Sequence, residues 1–369
     1  YVLEDGWWLP VSPGTMRPTL GGCLSANVHG KNNWEAGPLG EHVLEFTALM
    51  PTGKEITCTP KKNKDLFYSV ISSMGILGVF TSITFQMKKV YSGNLDVYAW
   101  AEPTLKSVLQ ATDEHKEKDY VVGWVDCSVP GKNLGRGQLH TARYLDPGED
   151  SHPNRTLHIE YQDLPDTIMG LVPRSIVWQL LRFGMNNLGT RFGNMGKYFA
   201  SRTLGHKKHY LQSFAEFTYL LDYVPNWERA YGKNGLIQYQ SFIPKETAHD
   251  AFKDIIQLSQ RYRLPSFLGV VKRHRPDNFL LSHAVDGFSL AMDFKVRQLK
   301  KLRQMTNQMN QIVLEAGGRF YFAKDSTLTA DVVSAYLGEA TIKKFKKLKA
   351  KYDPNGILQT DLYQRCFGE

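Results

Sequence analysis

At 369 residues, with 42% apolar and 22% charged side chains, the chain has apolar content for one large core and room for a second, which excludes a disordered chain. Its apolar runs all fall short of the ~18 residues a bilayer-crossing helix needs, which excludes a membrane-spanning helix. A net charge of +9 points to anionic partners, either a phospholipid surface or a phosphorylated substrate, or else to solvated basic faces.

In chain order, YVLEDGWWLPV reads as a strand already under way at Tyr1. With no initiator methionine and no signal peptide, the chain reads as a fragment or a trimmed product. Residues 1–92 alternate short β-like runs with glycine-rich turns, and Pro51-Thr52-Gly53 marks a hairpin. KDLFYSVISSMG has helical spacing and predicts a helix that stops at Gly75. Four backbone-rich loops fall here: SPGT (12–15), TLGG (19–22), ANVHG (26–30) and GILGVF (75–80). Glycine has no Cβ, so main-chain N–H groups in such loops approach a ligand closely. Singly each is an ordinary turn; together they predict a cofactor cradle. His29 within them is either hydrogen-bonded structure or a pocket group.

Several common sites are unsupported. No G-x-G-x-x-G stands between a strand and a helix and no G-x-x-x-x-G-K-[ST] occurs, which argues against a Rossmann site and a P-loop. G-x-S-x-G and H-E-x-x-H are absent too, which weakens hydrolase and zinc-protease readings. Cys23, Cys58, Cys127 and Cys366 are scattered, giving neither a metal pattern nor a disulfide framework, and fit a reducing compartment.

From about 93 to 318, alternating runs mix with helical ones such as KETAHDAFKDIIQLSQRY and LRQMTNQMNQIVLEAGG. This predicts an α+β fold with an antiparallel sheet and helices, not a doubly wound one. The stretch from about 164 to 212, rich in glycine, basic and aromatic residues without clear period, predicts a mobile flap. In GLIQYQSFIP the period of two places Gln238 and Gln240 on one face, where paired amides suit hydroxyl recognition. In SFLGVVKRH, Lys272 continues the face of Leu268 and Val270, either snorkelling at a sheet edge or reaching into a pocket. In GFSLAMDF, Ser289 and Ala291 share a face and leave room for a ligand.

GGRFYFAKDS puts Lys324 at a strand end, as a surface lysine or a pocket group, and Thr329 is a suitable N-cap for ADVVSAYL. IKKFKKLKAKYD predicts a helix with Ile342, Phe345 and Leu348 inward and its lysines on the other faces. GHKKHY and KVRQLKKLR are the other basic clusters.

PVSPGTMRPTLGGCLSANVHGKNNWEAGPLGEH, NWERAYGKNGLIQYQSFIP, SFLGVVKRH, GGRFYFAKDS and KYDPNGIL together resemble a known family. It is the PCMH-type FAD-binding oxidoreductases of the vanillyl-alcohol-oxidase superfamily, and within it the decaprenylphosphoryl-β-D-ribose 2-oxidase group. The flavin loops are specific only to FAD; the glutamine, lysine and Y-x-A-K-D-S strands are more specific. The resemblance implies non-covalent FAD held by Gly14, Thr19, Leu20, Gly21, Gly22, Ala26, Asn27, Val28, His29, Phe80 and Tyr321, with no metal. Gly30 and Lys31 would join His29 on the isoalloxazine side. Lys324, then His29, are the implied proton acceptors or charge stabilisers, and Gln238, Gln240, Lys272, Lys31, Ser289 and Ala291 would meet substrate.

The implied reaction oxidises the 2-hydroxyl of a polyprenylphosphoryl-β-D-ribofuranose to a 2-keto sugar, the first step toward the arabinose donor of cell-wall polysaccharide. A partner keto-reductase, peripheral contact with an anionic membrane and no nucleic acid follow, with a cytoplasmic location or one peripheral to the inner membrane and cell envelope. The implied organisation is an FAD-binding part at 1–92, a substrate-binding part at 93–318 and a C-terminal return at 319–369. Ala291 stands where mycobacterial members carry an active-site cysteine, and Ser289 replaces an asparagine, so no thiol is needed here. The family's N-terminal FAD subdomain is expected to be missing, leaving about half the cradle. Another sugar, lactone or alcohol as substrate, or a non-catalytic lipid-phosphate binding protein, are the competing readings.

Overall fold

Period-two alternation and turn chemistry set the strands of the computed structural model, which describes residues 1–168 and 172–368. The first stretch gives β1 (Trp7–Trp8), α1 (Leu20–Ser25), β2 (Val43–Leu49), β3 (Glu55–Cys58), α2 (Lys64–Val70), β4 (Val79–Phe85) and β5 (Lys88–Lys89). The hairpin at 51–53 forms as expected: β3, β2 and β4 make an antiparallel sheet in which Phe46 faces Cys58 and Leu49 faces Glu55. The opening run is mostly turn, not strand, and only Trp7 and Trp8 pair, with Lys89 and Lys88. The helix expected to reach Gly75 ends at Val70. Ser72, Met74 and Gly75 hold φ of 72, 53 and 76°, left-handed geometry that no α-helix continues through.

The middle of the chain supplies β6 (Asn94–Glu102), α3 (Leu105–Glu114), β7 (Tyr120–Val125) and β8 (Gly137–Tyr144). Next come α4 (Arg174–Gly184), α5 (Asn187–Thr203) and β9 (Lys208–Ser213). After these follow β10 (Leu236–Pro244), α6 (Lys245–Arg261), β11 (Gly269–His274), β12 (Gly287–Lys295), α7 (Leu299–Glu315) and β13 (Arg319–Phe320). The tail is helical: α8 (Ala330–Leu337), α9 (Glu339–Tyr352) and α10 (Asp361–Cys366).

Eight strands form one antiparallel sheet in the order β9-β6-β8-β7-β11-β12-β10-β13. Helices α3, α6 and α7 cover one face. Val108, Phe252, Ile255, Met305 and Met309 pack there on Tyr239, Val271, Leu290 and Met292. Because side chains alternate, the opposite face is left to Gln238, Gln240, Lys272 and their neighbours. The two halves of the sheet meet where β7 pairs with β11: Val125 with Gly269, Trp124 with Val270, Gly123 with Val271. A Cβ on Gly269 would stand 2.6 Å from the Val125 carbonyl oxygen and 2.8 Å from Cys127 Sγ, so this close approach requires glycine.

Two further expectations are corrected. Within the expected flap, residues 174–203 are two helices and β9 pairs with β6 at the sheet edge, so the stretch is regular where the sequence shows no period; residues 169–171 of it lie outside the described residues. Asn186 caps α5 by accepting from the Gly189 N–H at 3.0 Å. Lys324 does not end a strand; β13 stops at Phe320 and Lys324 sits in a 3-10 turn, Phe322–Thr327.

The basic helix α9 does turn Phe345 inward, but Lys349 is buried with it. Its ammonium donates to the Ile76 carbonyl (3.0 Å), the Leu358 carbonyl (2.6 Å) and the Asp353 carboxylate (2.5 Å). The four cysteines are buried and unpaired, as their scatter implied.

Candidate active site

Residues paired directly across a sheet share a face, so the register assembles the site. Gln240 faces Ala291, Ala291 faces Val270 and Val270 faces Trp124. One step along, Gln238 faces Asp293; one step the other way, Phe242 faces Ser289 and Ser289 faces Lys272. Onto this face the 26–30 loop brings His29, which is buried. A bridge to Pro38 and a bond from the Leu39 N–H to the Val28 carbonyl (2.9 Å) hold the loop.

His29 is the centre of the cluster. Lys272 Nζ lies 3.5 Å from its Nδ1, and the Gln240 side-chain amide lies 3.0 Å from its Nε2. The rings of His274, Tyr321, His283 and Phe242 surround it at 4.9, 5.3, 5.4 and 5.5 Å. Burial, then the Lys272 charge and the two neighbouring histidines, hold His29 well below the usual histidine range. The ring is therefore neutral at pH 7 with one proton to place. The Gln240 amide N–H donates to Nε2, which leaves the ring proton on Nδ1, on the side of Lys272 Nζ.

The other charges are tuned by the same enclosure. Burial, helped by the charge of Lys324, pushes Lys272 down to about 8. Burial lowers Lys324 too, against the opposing pull of Asp293. Asp293 is raised to about 6 by burial, although it accepts from Gln238 Nε2 at 2.7 Å and from the Tyr231 hydroxyl at 3.4 Å. Two lysines and one carboxylate thus share a desolvated pocket that disfavours the charged form of each.

Some proposed residues fall elsewhere. Ser289 is buried with its hydroxyl donating to His274 Nε2 (2.8 Å), while His274 Nδ1–H donates to Asn33 Oδ1 (2.9 Å). Ser289 therefore positions a histidine and does not offer its hydroxyl to a ligand. Lys31 is turned to the Phe217 carbonyl, with its ammonium 4.6 Å from the centre of the Phe217 ring. Phe80 packs edge-on to Phe46 at 5.0 Å, inside the small sheet. Sequence reading missed Asp293, His274 and His283. Extending the period-two rows by one step, from Ala291 to Asp293 and from Lys272 to His274, reaches the first two; His283 is in a loop with no such signal.

The loops at 12–32 have the features of a cofactor cradle. Nothing lies within 4 Å of where a Gly21 Cβ would stand, and Gly14 has only a Leu221 methyl at 4.0 Å. Thr19 caps α1 by accepting from the Gly22 N–H at 3.1 Å, and Leu20 beside it is exposed. Ala26, Asn27 and Val28 are buried, and Asn27 accepts from the Gly40 N–H at 2.8 Å. Asn27 Nδ2, Asn32 Oδ1 and His283 Nε2 are buried without partners. Bare backbone facing outward and orphaned polar atoms within fit a large polar cofactor such as FAD. A cleft of about 580 Å³ beside this loop is lined by Trp8, Met16, Arg17, Arg174, Tyr219 and Asp222.

The comparisons agree with this geometry. Residues 1–59 match the family model described as FAD binding domain. The decaprenylphosphoryl-beta-D-ribose oxidase of Mycolicibacterium smegmatis is 29% identical over 99% of this chain and 77% of that protein. An uncharacterized protein of Streptomyces coelicolor is 24% identical over 99% of this chain and 97% of its own. A putative D-arabinono-1,4-lactone oxidase of Neurospora crassa is 28% identical over 28% of this chain and 18% of that protein.

Taken with these similarities, the chain is a FAD-dependent oxidoreductase of α+β architecture whose first 59 residues match an FAD binding domain. Within that class, this chain is similar along nearly its whole length to the mycobacterial oxidase. The non-catalytic reading is set aside with it.

Proposed function

We propose that this enzyme oxidises the 2-hydroxyl of a polyprenylphosphoryl-β-D-ribofuranose to the 2-keto sugar. The observation that carries the reading is one polar face, with Gln240 and Lys272 against His29 and with Gln238 and Lys324 beside Asp293, since amides and ammonium groups match ring hydroxyls and a phosphate. Bound FAD supplies the acceptor for the hydride that leaves the carbinol carbon. Lys324 takes the hydroxyl proton, and its lowered proton affinity suits that task. Gln240 and Lys272 fix the neutral His29 ring, and Gln238, oriented by Asp293, aligns the sugar. Ala291 leaves space between Gln240 and Val270 for the ring.

On this reading residues 1–92 and 319–369 serve the cofactor and 93–318 the substrate. A partner keto-reductase completes the epimerisation toward an arabinose donor for cell-wall arabinan. A substrate held by a lipid tail also puts the enzyme at an anionic membrane, on the cytoplasmic side or at the cell envelope; among the described residues no helix is long and apolar enough to cross one.

The D-arabinono-1,4-lactone oxidase similarity favours a second reading, a sugar lactone or free sugar as substrate. Anaerobic flavin spectra separate the two. We expect bleaching by a polyprenylphosphoryl-ribose analogue and none by free sugars or lactones; the reverse pattern would select the second reading.

A further inference from the structure

We propose that the outer faces of α4 and α5 form one surface that docks on an anionic lipid bilayer. Helix α5 is two-sided. Thr190, Tyr198 and Ser201 turn inward and are buried. The Asn194 amide donates to Asp126 at 3.0 Å, the Arg136 guanidinium lies 4.5 Å from the Tyr198 ring, and Lys197 Nζ lies 4.2 Å from the Trp124 ring. The opposite side carries Leu188, Phe192 and Phe199, all exposed and spaced at whole turns. In α4 no residue is buried, Leu180 is exposed, and Phe183 is 82% exposed. Leu204 just after α5 is 81% exposed.

Large apolar side chains in contiguous helical rows on a surface need a partner that removes them from water. Charge identifies it. From 172 to 215 the chain has seven Lys and Arg and no Asp or Glu. Basic and apolar residues interleaved on helices that lie flat suit the headgroup layer of an anionic bilayer.

Through Lys197, α5 reaches the Trp124 ring, and Trp124 shares a sheet row with Val270, Ala291 and Gln240. Docking by the outer face therefore seats the pocket at the lipid surface. Only that consequence, delivery of a lipid-held sugar, rests on the proposed function; the docking does not.

The test uses the FAD-loaded protein and vesicles without substrate. Phosphatidylcholine vesicles are compared with vesicles containing phosphatidylglycerol, by co-sedimentation at low and high salt. We expect binding to the anionic vesicles at least about tenfold tighter than to the neutral ones, weakened by salt. The double variant Phe183→Asp/Phe192→Asp should lose about tenfold or more, and Arg182→Glu/Arg191→Glu should lose the preference for anionic lipid, both with flavin content and Tm unchanged. Equal binding by wild type and both variants would overturn the proposal. So would a wild-type dimer that ignores vesicles and becomes monomeric in the Phe183→Asp/Phe192→Asp variant, which would assign this face to a second copy. Flavin reduction is not read, so failure of the sugar assignment leaves the result standing.

Discussion

The chemistry at the level of single residues turns on a lysine whose proton affinity is lowered by burial and restored in part by Asp293. A lysine accepts a proton only when neutral, so kcat/KM should rise as pH climbs through the Lys324 titration. Substrate affinity should weaken separately as pH climbs past about 8, where Lys272 loses the charge that holds the substrate. Lys324→Ala should lower flavin reduction by roughly 100-fold or more while flavin stays bound. Asp293→Asn removes the charge that favours protonated Lys324, so the rising limb should move to lower pH. A limb that stays put in Asp293→Asn would remove Lys324 from the role of proton acceptor. Gln238, Gln240 and Lys272 were legible in the sequence because a strand of period two announces its faces. Asp293 and His274 were harder: their importance lies in partners across the sheet, Gln238 and Ser289, and pairing is not written in either strand alone.

Among whole elements, α9 shows how burial overrides composition. A helix of lysines looks solvated from its sequence, yet Lys349 joins Ile76, Leu358 and Asp353 in a closed set of bonds. Asp353 also accepts from the Ile357 and Leu358 N–H groups, at 2.8 and 2.9 Å. Lys349→Met should therefore strand a buried carboxylate and cost about 3–5 kcal/mol of stability, read by denaturant unfolding. A loss below 1 kcal/mol would show that water already solvates the pair. The helices α4 and α5 were illegible for a different reason. Gly184, Gly189, Gly193 and Gly196 lower helix propensity and interrupt the apolar pattern, and in α5 the polar Thr190, Asn194 and Ser201 turn inward while Leu188, Phe192 and Phe199 face out, the reverse of the usual order. The hairpin at 51–53 and the long helices α6 and α7 were legible because one apolar stripe and clear ends defined each.

Across the whole molecule, the α+β class and the antiparallel sheet were legible, but the strand order was not. It joins β7 to β11, more than a hundred residues later in the chain, through one seam, and adds β9 to β6 at the edge. Gly269→Ala at that seam sets a methyl against the Val125 carbonyl oxygen, and should cost about 1–3 kcal/mol and lower flavin occupancy with it. Unchanged Tm and flavin content would mean that the backbone yields there without disturbing the site.

The seam also fixes an order of events. Strands β6 to β8 are near neighbours in sequence and can pair early, as can β11 with β12; β7 meets β11 only after a long loop has closed. Trp124 arrives with the early strands, and Lys272 with the late ones. A newly made chain therefore has its helices and hairpins before Trp124 and Lys272 share a face, and the substrate side of the pocket is completed late in folding.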